Sequence, residues 1–509
     1  MWKNNRVGKA ECRYGWASIA LRLVVVGIVT AVGACDRSTQ EQPNIVIILA
    51  DDMGIGDISA YNVNSKIKTP HLDGLVAAGA MFTDASTPAS VCTPTRYSIL
   101  TGRYAWRTRL KSQVLWVWDK PLIDTRTVTL PETLRSSGYT TAMFGKWHLG
   151  WEWPTVDSIA PIGQGLINPP FTSGKNIDFT QPIKGGPTDH GFDYYFGVDV
   201  PNFPPYAWIK NDRLVEIPNV VKPKQMFGAN GPMVEGWSLE AIAPTLTDKI
   251  VEYIRKTKNQ KQPFFLYYAM TSPHTPIVPV PEWRGSSKAG LYGDFVQQLD
   301  AEIGRIVTAI EESNKSENTI IIFMADNGSA GMANNRSRNT ALLEKFNHAT
   351  SLDLKGYKLS VYQGGFRVPM VVVWPNKIAP GSRIDKPFTA LDLMPTLAHF
   401  ANASLEAGAA PDAFNVSSDW LNGGPQSSQR KYAIYHSFDG TFALRQGRYK
   451  LIAGEGDGAR RDASALRDVY RLYDLQADPQ ETTDISLSEP VQLEKMKTLL
   501  LSHDPYSEH

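Results

Sequence analysis

Short apolar runs recur along the chain, and each is followed within a few positions by charged or turn-forming residues. The first, N-I-V-I-I-L-A at 44–50, is continuous and rich in β-branched residues rather than alternating. That is the pattern of a strand covered on both faces. T-T-A-M-F at 140–144, F-F-L-Y-Y-A-M at 264–270, T-I-I-I-F-M-A at 319–325 and P-M-V-V-V-W at 369–374 repeat it. Helical stretches lie between them. One has Thr69 as N-cap, Pro70 at its first position and Gly79 as terminator; others are predicted near 244–257, 293–312 and 391–401. This alternation predicts an α/β fold, a sandwich around a large, mainly parallel sheet. From about residue 430 the texture changes to Y-A-I-Y-H-S-F, F-A-L-R-Q-G-R-Y-K-L-I and Y-R-L-Y-D-L, predicting a small antiparallel C-terminal subdomain. Two long connections, 151–190 and 328–357, are rich in Gly, Pro, Asn and Ser. Loops of that length are functional or disordered.

The N-terminus does not fit this pattern. Lys3, Arg6, Lys9, Arg13 and Arg22, with Glu11 the single acid, precede the apolar run L-V-V-V-G-I-V-T-A-V-G-A at 23–34. A run this short cannot span a bilayer but suits a signal peptide. It ends in V-G-A-C, which resembles a bacterial lipobox with Cys35 as the lipid-bearing residue, and a polar tether follows. A plain signal peptide or a short anchor, with an incidental cysteine, is the alternative. The expected organisation is a lipoprotein-type signal peptide at 1–34, a tether at 35–43, the α/β domain at 44–425 and the C-terminal subdomain at 426–509. The body is then exported to the cell envelope, periplasmic or membrane-anchored, and meets a membrane only through its lipid.

Charge and cysteine content narrow the function. With 52 Lys+Arg against 51 Asp+Glu the net charge is +1, and no basic stripe stands out, so a nucleic-acid role has no support. Hydrophobic residues make up 42%, enough for a large core. Of three cysteines, Cys12 leaves with the signal and Cys35 becomes the anchor. Only Cys92 remains, which excludes an internal disulfide and a thiol-only metal site.

The residues after the apolar runs carry the chemistry. The first strand ends in Asp51-Asp52, the strand near 140 leads into Lys146 and His148, the run at 264–270 into His274, and the run at 319–325 into Asp326-Asn327. Taken singly, each is also an ordinary turn, cap or solvated residue. Together they occupy the edge of an α/β sheet where ligands bind, beyond the carboxyl ends of the strands. Asp51, Asp52, Asp326 and Asn327 are hard oxygen donors, suiting Ca²⁺, and Mg²⁺ second, rather than Zn²⁺. Arg96, Lys146, Lys358 and the two histidines form a cradle for an oxyanion such as sulfate or phosphate. T-P-T-R-Y-S-I-L-T-G reads as a helix with Thr93 as cap, Pro94 at its first position and Gly102 ending it. Cys92 then lies at the positive end of the helix dipole, with Arg96 one turn along.

C-T-P-T-R followed by Y-S-I-L-T-G-R resembles the C/S-x-P-x-R signature of type I sulfatases, the arylsulfatase branch of the alkaline phosphatase superfamily. N-I-V-I-I-L-A-D-D-M-G, G-Y-T-T-A-M-F-G-K-W-H-L-G, H-G-F-D-Y-Y-F-G, S-P-H-T-P, A-D-N-G, K-L-S-V-Y-Q-G-G-F-R-V-P and L-Y-D-L-Q-A-D-P agree in order, from about residue 43 to 484. The resemblance implies that Cys92 is oxidised to Cα-formylglycine by a formylglycine-generating enzyme. One hydroxyl of its hydrated aldehyde attacks sulfur and expels the alcohol, and collapse of the second releases inorganic sulfate. It implies Ca²⁺ ligands at Asp51, Asp52, Asp326, Asn327 and position 92, with Arg96 steadying the hydrate. Lys146 and Lys358 hold sulfate oxygens, His148 is the base and His274 the acid that also contacts substrate; Asn202 is assigned to substrate. Gln363 stands where the family often has Glu.

The implied substrate is a sulfated carbohydrate, with aryl sulfates as surrogates. Trp106, Trp116, Trp118, Trp147, Trp151 and Trp153 cluster around two of these motifs and offer sugar-stacking faces, although about half are expected in the core. The alternatives are a phosphate or phosphonate ester hydrolase of the same superfamily and a non-catalytic glycan-binding lipoprotein.

Overall fold

The structure is a computed structural model and describes residues 41–332, 341–422, 430–459 and 469–506. The signal peptide, Cys35 and most of the tether lie outside the described residues.

Ten strands form the main sheet: β1 (Asn44–Ala50), β2 (Ala80–Phe82), β3 (Thr140–Lys146), β4 (Tyr194–Val198), β5 (Ile209–Lys210), β6 (Arg213–Leu214), β7 (Phe264–Ala269), β8 (Thr319–Ala325), β9 (Met370–Val373) and β10 (Ser382–Ile384). Across the sheet they run β10-β2-β9-β8-β1-β7-β3-β4-β5-β6. The middle block β8-β1-β7-β3-β4 is parallel throughout, while β9 and β5 run antiparallel to their neighbours. Ile45 to Ala50 of β1 are all 0% exposed, so both faces of the sheet are covered. The helices are α1 (Pro70–Ala78), α2 (Cys92–Thr101), α3 (Leu130–Ser136), α4 (Ile242–Thr257), α5 (Gly290–Glu312) and α6 (Leu393–Phe400). Helices α1 and α4 pack on α5, and α2, α3 and α6 pack on one another, giving two separate helical covers. This is the α/β sandwich the apolar runs predict.

The later texture forms a second sheet, β11 (Ala433–His436), β12 (Phe442–Gln446), β13 (Tyr449–Ala453) and β14 (Tyr470–Asp474), antiparallel in chain order. Helix α7 (Pro490–Leu501) packs against it. It docks on the larger body through buried polar contacts: the Tyr104 hydroxyl accepts the Ile434 N–H at 3.0 Å, and Lys450 Nζ donates to the Val361 carbonyl at 2.8 Å. Neither long connection is structureless. Single bridges pair Glu152 with Lys184 and Thr155 with Ile177, and a short helix, Ala341–Phe346, interrupts 328–357.

Candidate active site

The parallel strands deliver their terminal residues to one edge. Asp51 and Asp52 follow β1, Lys146 ends β3 with His148 two residues on, His274 follows β7, and Asp326 and Asn327 follow β8. Cys92 is itself the first residue of α2, with extended Val91 as its N-cap. Thr93 is therefore not the cap; its hydroxyl accepts the Leu115 N–H at 3.2 Å instead. Pro94 falls third in the helix, where no intrahelical acceptor is available for an N–H, so its ring costs no hydrogen bond. Gly102 closes the helix at φ 60°, and a Cβ there would lie 2.4 Å from the Ala410 Cβ.

The charged groups meet in pairs. Lys146 Nζ donates to Asp51 Oδ2 at 2.7 Å, and Lys358 Nζ to Asp52 Oδ2 at 2.7 Å while standing 3.6 Å from Cys92 Sγ. Arg96 sets Nε and Nη2 on Asp326 Oδ2 at 3.0 and 2.8 Å and donates from Nη1 to the Lys146 carbonyl at 3.0 Å. Asp326 Oδ1 accepts the Asp52 N–H at 3.2 Å, and Asn327 Nδ2 donates to Asp52 Oδ1 at 2.7 Å. One ligand atom each of Asp51, Asp52, Cys92 and His274 lies within 4.8 Å of all the others. Position 92 is thus within a side chain's reach of both paired aspartates. Three cations face three carboxylates, so these residues neutralise one another by themselves.

The donor set fits a hard divalent cation. Asp51 Oδ1 and Asn327 Oδ1 are buried and accept no hydrogen bond from the described residues, and buried oxygens are rarely left so unless something else fills the role. Burial raises the Asp51 carboxyl, but Lys146, His274, Arg96 and Lys358 together outweigh it and hold the group well below the usual range. Burial and the adjacent Asp51 charge instead push the Asp326 carboxyl up, against the pull of the Arg96 guanidinium that holds its charged form. Asp52 and His148 both take left-handed backbone, φ 68° and 55°, and strain of this kind concentrates at functional sites.

Burial overrides the helix dipole at Cys92. The thiol is pushed up to about 12 despite Lys146 and Lys358, so an unmodified Cys92 stays protonated near neutral pH and is a poor nucleophile. His148 holds Nε2 3.0 Å from the Leu115 carbonyl, so Nε2 carries the hydrogen, and buried Nδ1 has no partner among the described residues. Burial and Lys146 keep its ring well below the usual histidine range, leaving an unprotonated Nδ1. His274 places Nδ1 2.6 Å from the Thr275 carbonyl and Nε2 3.7 Å from Asp52 Oδ2. Burial and Lys358 push it down to about 4.

A cavity of about 500 Å³ opens on this centre, lined by Cys92, Trp116, His148, Asn202, Phe203, His274 and Lys358 among others. Asn202 is in its wall, and its buried Oδ1 has no partner among the described residues. Asn168 of the first long connection and Phe438 of the C-terminal subdomain also reach it. Five of the six clustered tryptophans are core rather than half; only Trp116 is partly exposed and lines the cavity.

Three residues escaped the sequence reading. Asp199 accepts the His148 N–H and Trp151 Nε1 at 3.2 Å each, and burial lifts it to about 6. It directly follows β4, so the strand-end rule applied to Y-Y-F-G-V would have found it. Tyr292, inside α5, donates to Asp57 Oδ2 at 2.6 Å and lies 3.3 Å from the Asp52 carbonyl; no local signal marks it. Glu481 accepts the Gln363 N–H and the Lys450 ammonium at 2.6 Å each, placing a carboxylate beside the position where Gln363 departs from the family pattern.

Comparison with known proteins decides what this centre belongs to. The profile of the family described as Sulfatase matches residues 43–403. The chain belongs to the sulfatase family. A second profile, described as N-sulphoglucosamine sulphohydrolase, C-terminal, matches residues 357–502. This sulfatase is 30% identical over 505 residues to an N-acetylgalactosamine-6-O-sulfatase of Bacteroides thetaiotaomicron, covering 91% of this chain and 93% of that one. It is 31% identical over 487 residues to human arylsulfatase A, covering 89% and 85%. A solved structure of a sulfatase from glycosaminoglycan metabolism in B. thetaiotaomicron superposes with TM-score 0.77 at 28% identity, covering 91% of this chain and 99% of that chain. The enzyme is a sulfuric ester hydrolase.

Proposed function

We propose that this sulfatase removes sulfate from a sulfated carbohydrate, with formylglycine at position 92 and a bound Ca²⁺. The observation that carries the proposal is the place of residue 92: first in α2, 3.6 Å from Lys358 and beside the paired carboxylates of Asp51 and Asp52. Asp51, Asp52, Asp326 and Asn327 would hold the cation together with position 92. Oxidation of residue 92 would supply an oxygen nucleophile where burial keeps a thiol protonated, and the cation would draw charge from the sulfate oxygens. Lys146 and Lys358 would donate to those oxygens as negative charge grows, and Arg96, clamped on Asp326, holds the floor of the site. His148 Nδ1 would accept a proton, since its lone pair is free and Nε2 is tied to Leu115. His274 has its free lone pair on Nε2, so acid duty at the leaving oxygen requires that atom to be protonated. The negative charge of bound sulfate beside it favours this. The cavity, with Trp116, Phe203, Asn202 and Asn168, suits a sugar ring and its hydroxyls; the names of the related enzymes point the same way. The reading requires a formylglycine-generating enzyme during maturation and includes export with a lipid at Cys35.

The test pairs kinetics with chemistry. Sulfated oligosaccharides and para-nitrophenyl sulfate should be turned over far faster than the corresponding phosphate, and the peptide bearing residue 92 should carry an aldehyde in place of its thiol. Faster phosphate turnover would make the protein a phosphoesterase of the same architecture, and binding without turnover would leave only a glycan-capturing protein. An unmodified cysteine in active protein would end the mechanism.

Charge balance gives a further expectation. The three cations and three carboxylates already cancel; a divalent cation leaves an excess of two positive charges, which inorganic sulfate neutralises. Each should therefore tighten the other, by about 5- to 150-fold for coupling of ordinary size. Calorimetric calcium titrations with and without sulfate measure it, and identical calcium affinities would refute it.

A further inference from the structure

A second concavity lies apart from the catalytic one. A cleft of about 680 Å³ lies at the far end of α2, lined by Arg103, Arg107, Arg109 and Arg126 with Asp124 and Tyr97. Arg103 directly follows Gly102, the last cap of a helix whose first residue is Cys92. At 1.5 Å per residue the two ends of α2 stand roughly 15 Å apart, beyond the reach of a single group bound at both. The segment from Arg103 to Arg126 contributes to both cavities: Val114 and Trp116 face the catalytic one, and the arginines face the cleft.

The four guanidiniums are not equally committed. Arg107 forks onto Asp412 at 2.7 and 2.8 Å, and Arg126 meets Asp124 at 3.1 Å. Arg109 spends its donors on the Pro121 and Lys120 carbonyls, at 2.8 and 2.5 Å, which hold it in place without cancelling its charge. Asp119 interacts with it electrostatically but forms no ion pair. The Arg103 side chain has no hydrogen-bond or ion-pair partner among the described residues. Two arginines therefore face the cleft without a carboxylate of their own, in a chain whose net charge is only +1. A planar fork of donors matches a sulfate oxyanion better than an ammonium does.

We propose that this cleft is a second, non-catalytic site that holds a sulfate-bearing stretch of a polysaccharide substrate while the catalytic cavity works elsewhere on the polymer. The proposal rests on the sulfated-carbohydrate reading above. Its ligand chemistry is a chain of sulfate esters, gripped by Arg103 and Arg109 and steered by Arg107 and Arg126. An exposed site of this kind weakens as salt rises.

The test uses the mature enzyme, dextran sulfate as probe and the double variant R103Q/R109Q, whose positions touch none of the catalytic residues. Binding of dextran sulfate at low salt should weaken about tenfold, while kcat/KM for para-nitrophenyl sulfate stays within about twofold. R103Q alone should show a smaller loss of the same kind. Unchanged polymer binding in the double variant would overturn the proposal. So would a parallel loss of small-ester turnover, or displacement of the polymer by inorganic sulfate at equal sulfate concentration, the mark of a small-anion site. Wild-type protein that binds the polymer through these arginines yet cleaves no sulfate ester would sink the catalytic reading and leave the cleft standing.

Discussion

Cys92→Ala protein is expected to release sulfate at least about 10⁴-fold more slowly than native enzyme while folding normally. Both halves follow from where the residue sits. The side chain is 2% exposed at the start of α2, with its Sγ 3.6 Å from Lys358 Nζ. Removing one buried sulfur costs about 1 kcal/mol, and alanine suits a first helical position. The lost activity cannot be supplied by a neighbour, because the other groups within reach are Asp51, Asp52 and His274; the aspartates are tied to lysines and His274 faces Asp52. Single-turnover sulfate release together with a denaturant melt checks the pair of claims. Normal turnover in C92A would remove residue 92 from the chemistry altogether.

The candidate site is legible in the sequence for a physical reason. A parallel sheet buried on both faces writes its strands as uninterrupted apolar runs, as in I-V-I-I-L-A and I-I-I-F-M-A. The first ionisable residue after each run is then a residue of the sheet's functional edge, which is how Asp51, Lys146 and Asp326 come together. Asp199 obeys the same rule but follows a shorter, less aliphatic run, so it passed unnoticed. What escaped was set by tertiary environment. The helix dipole at Cys92 was a correct local reading, yet burial outweighs it and raises the thiol. The tryptophans stand close in sequence to two motifs, yet most turn into the core, because ring area is worth more buried than exposed. The arginine cleft could not be read at all. Its four cations are spread over 24 residues of an irregular segment, and only the fold turns them towards one space.

Arg96 ties the buried carboxylates of the site together, so its loss should cost stability. Arg96→Ala would strip both donors from Asp326 Oδ2, the partner 3.6 Å from Asp51 Oδ2, and the donor to the Lys146 carbonyl. Three carboxylates would then face two cations among side chains that are almost entirely buried. Removing one partner of a buried pair costs about 3–5 kcal/mol, because the remaining charge is left uncompensated. The loss should therefore be near that size in chelator and smaller in excess Ca²⁺, since a bound cation restores positive charge exactly where the carboxylates need it and stabilises the folded state by mass action. Arg96→Lys should recover only part of it: one ammonium cannot serve both the fork on Asp326 and the Lys146 carbonyl. Denaturant midpoints for the two variants with and without calcium measure each step. If R96A unfolds at the native midpoint in chelator, the carboxylates are not held by Arg96, and the charge balance proposed for calcium and sulfate loses its basis. If calcium stabilises native protein but not R96A, the cation needs Arg96 to order Asp326 rather than merely to offset its charge.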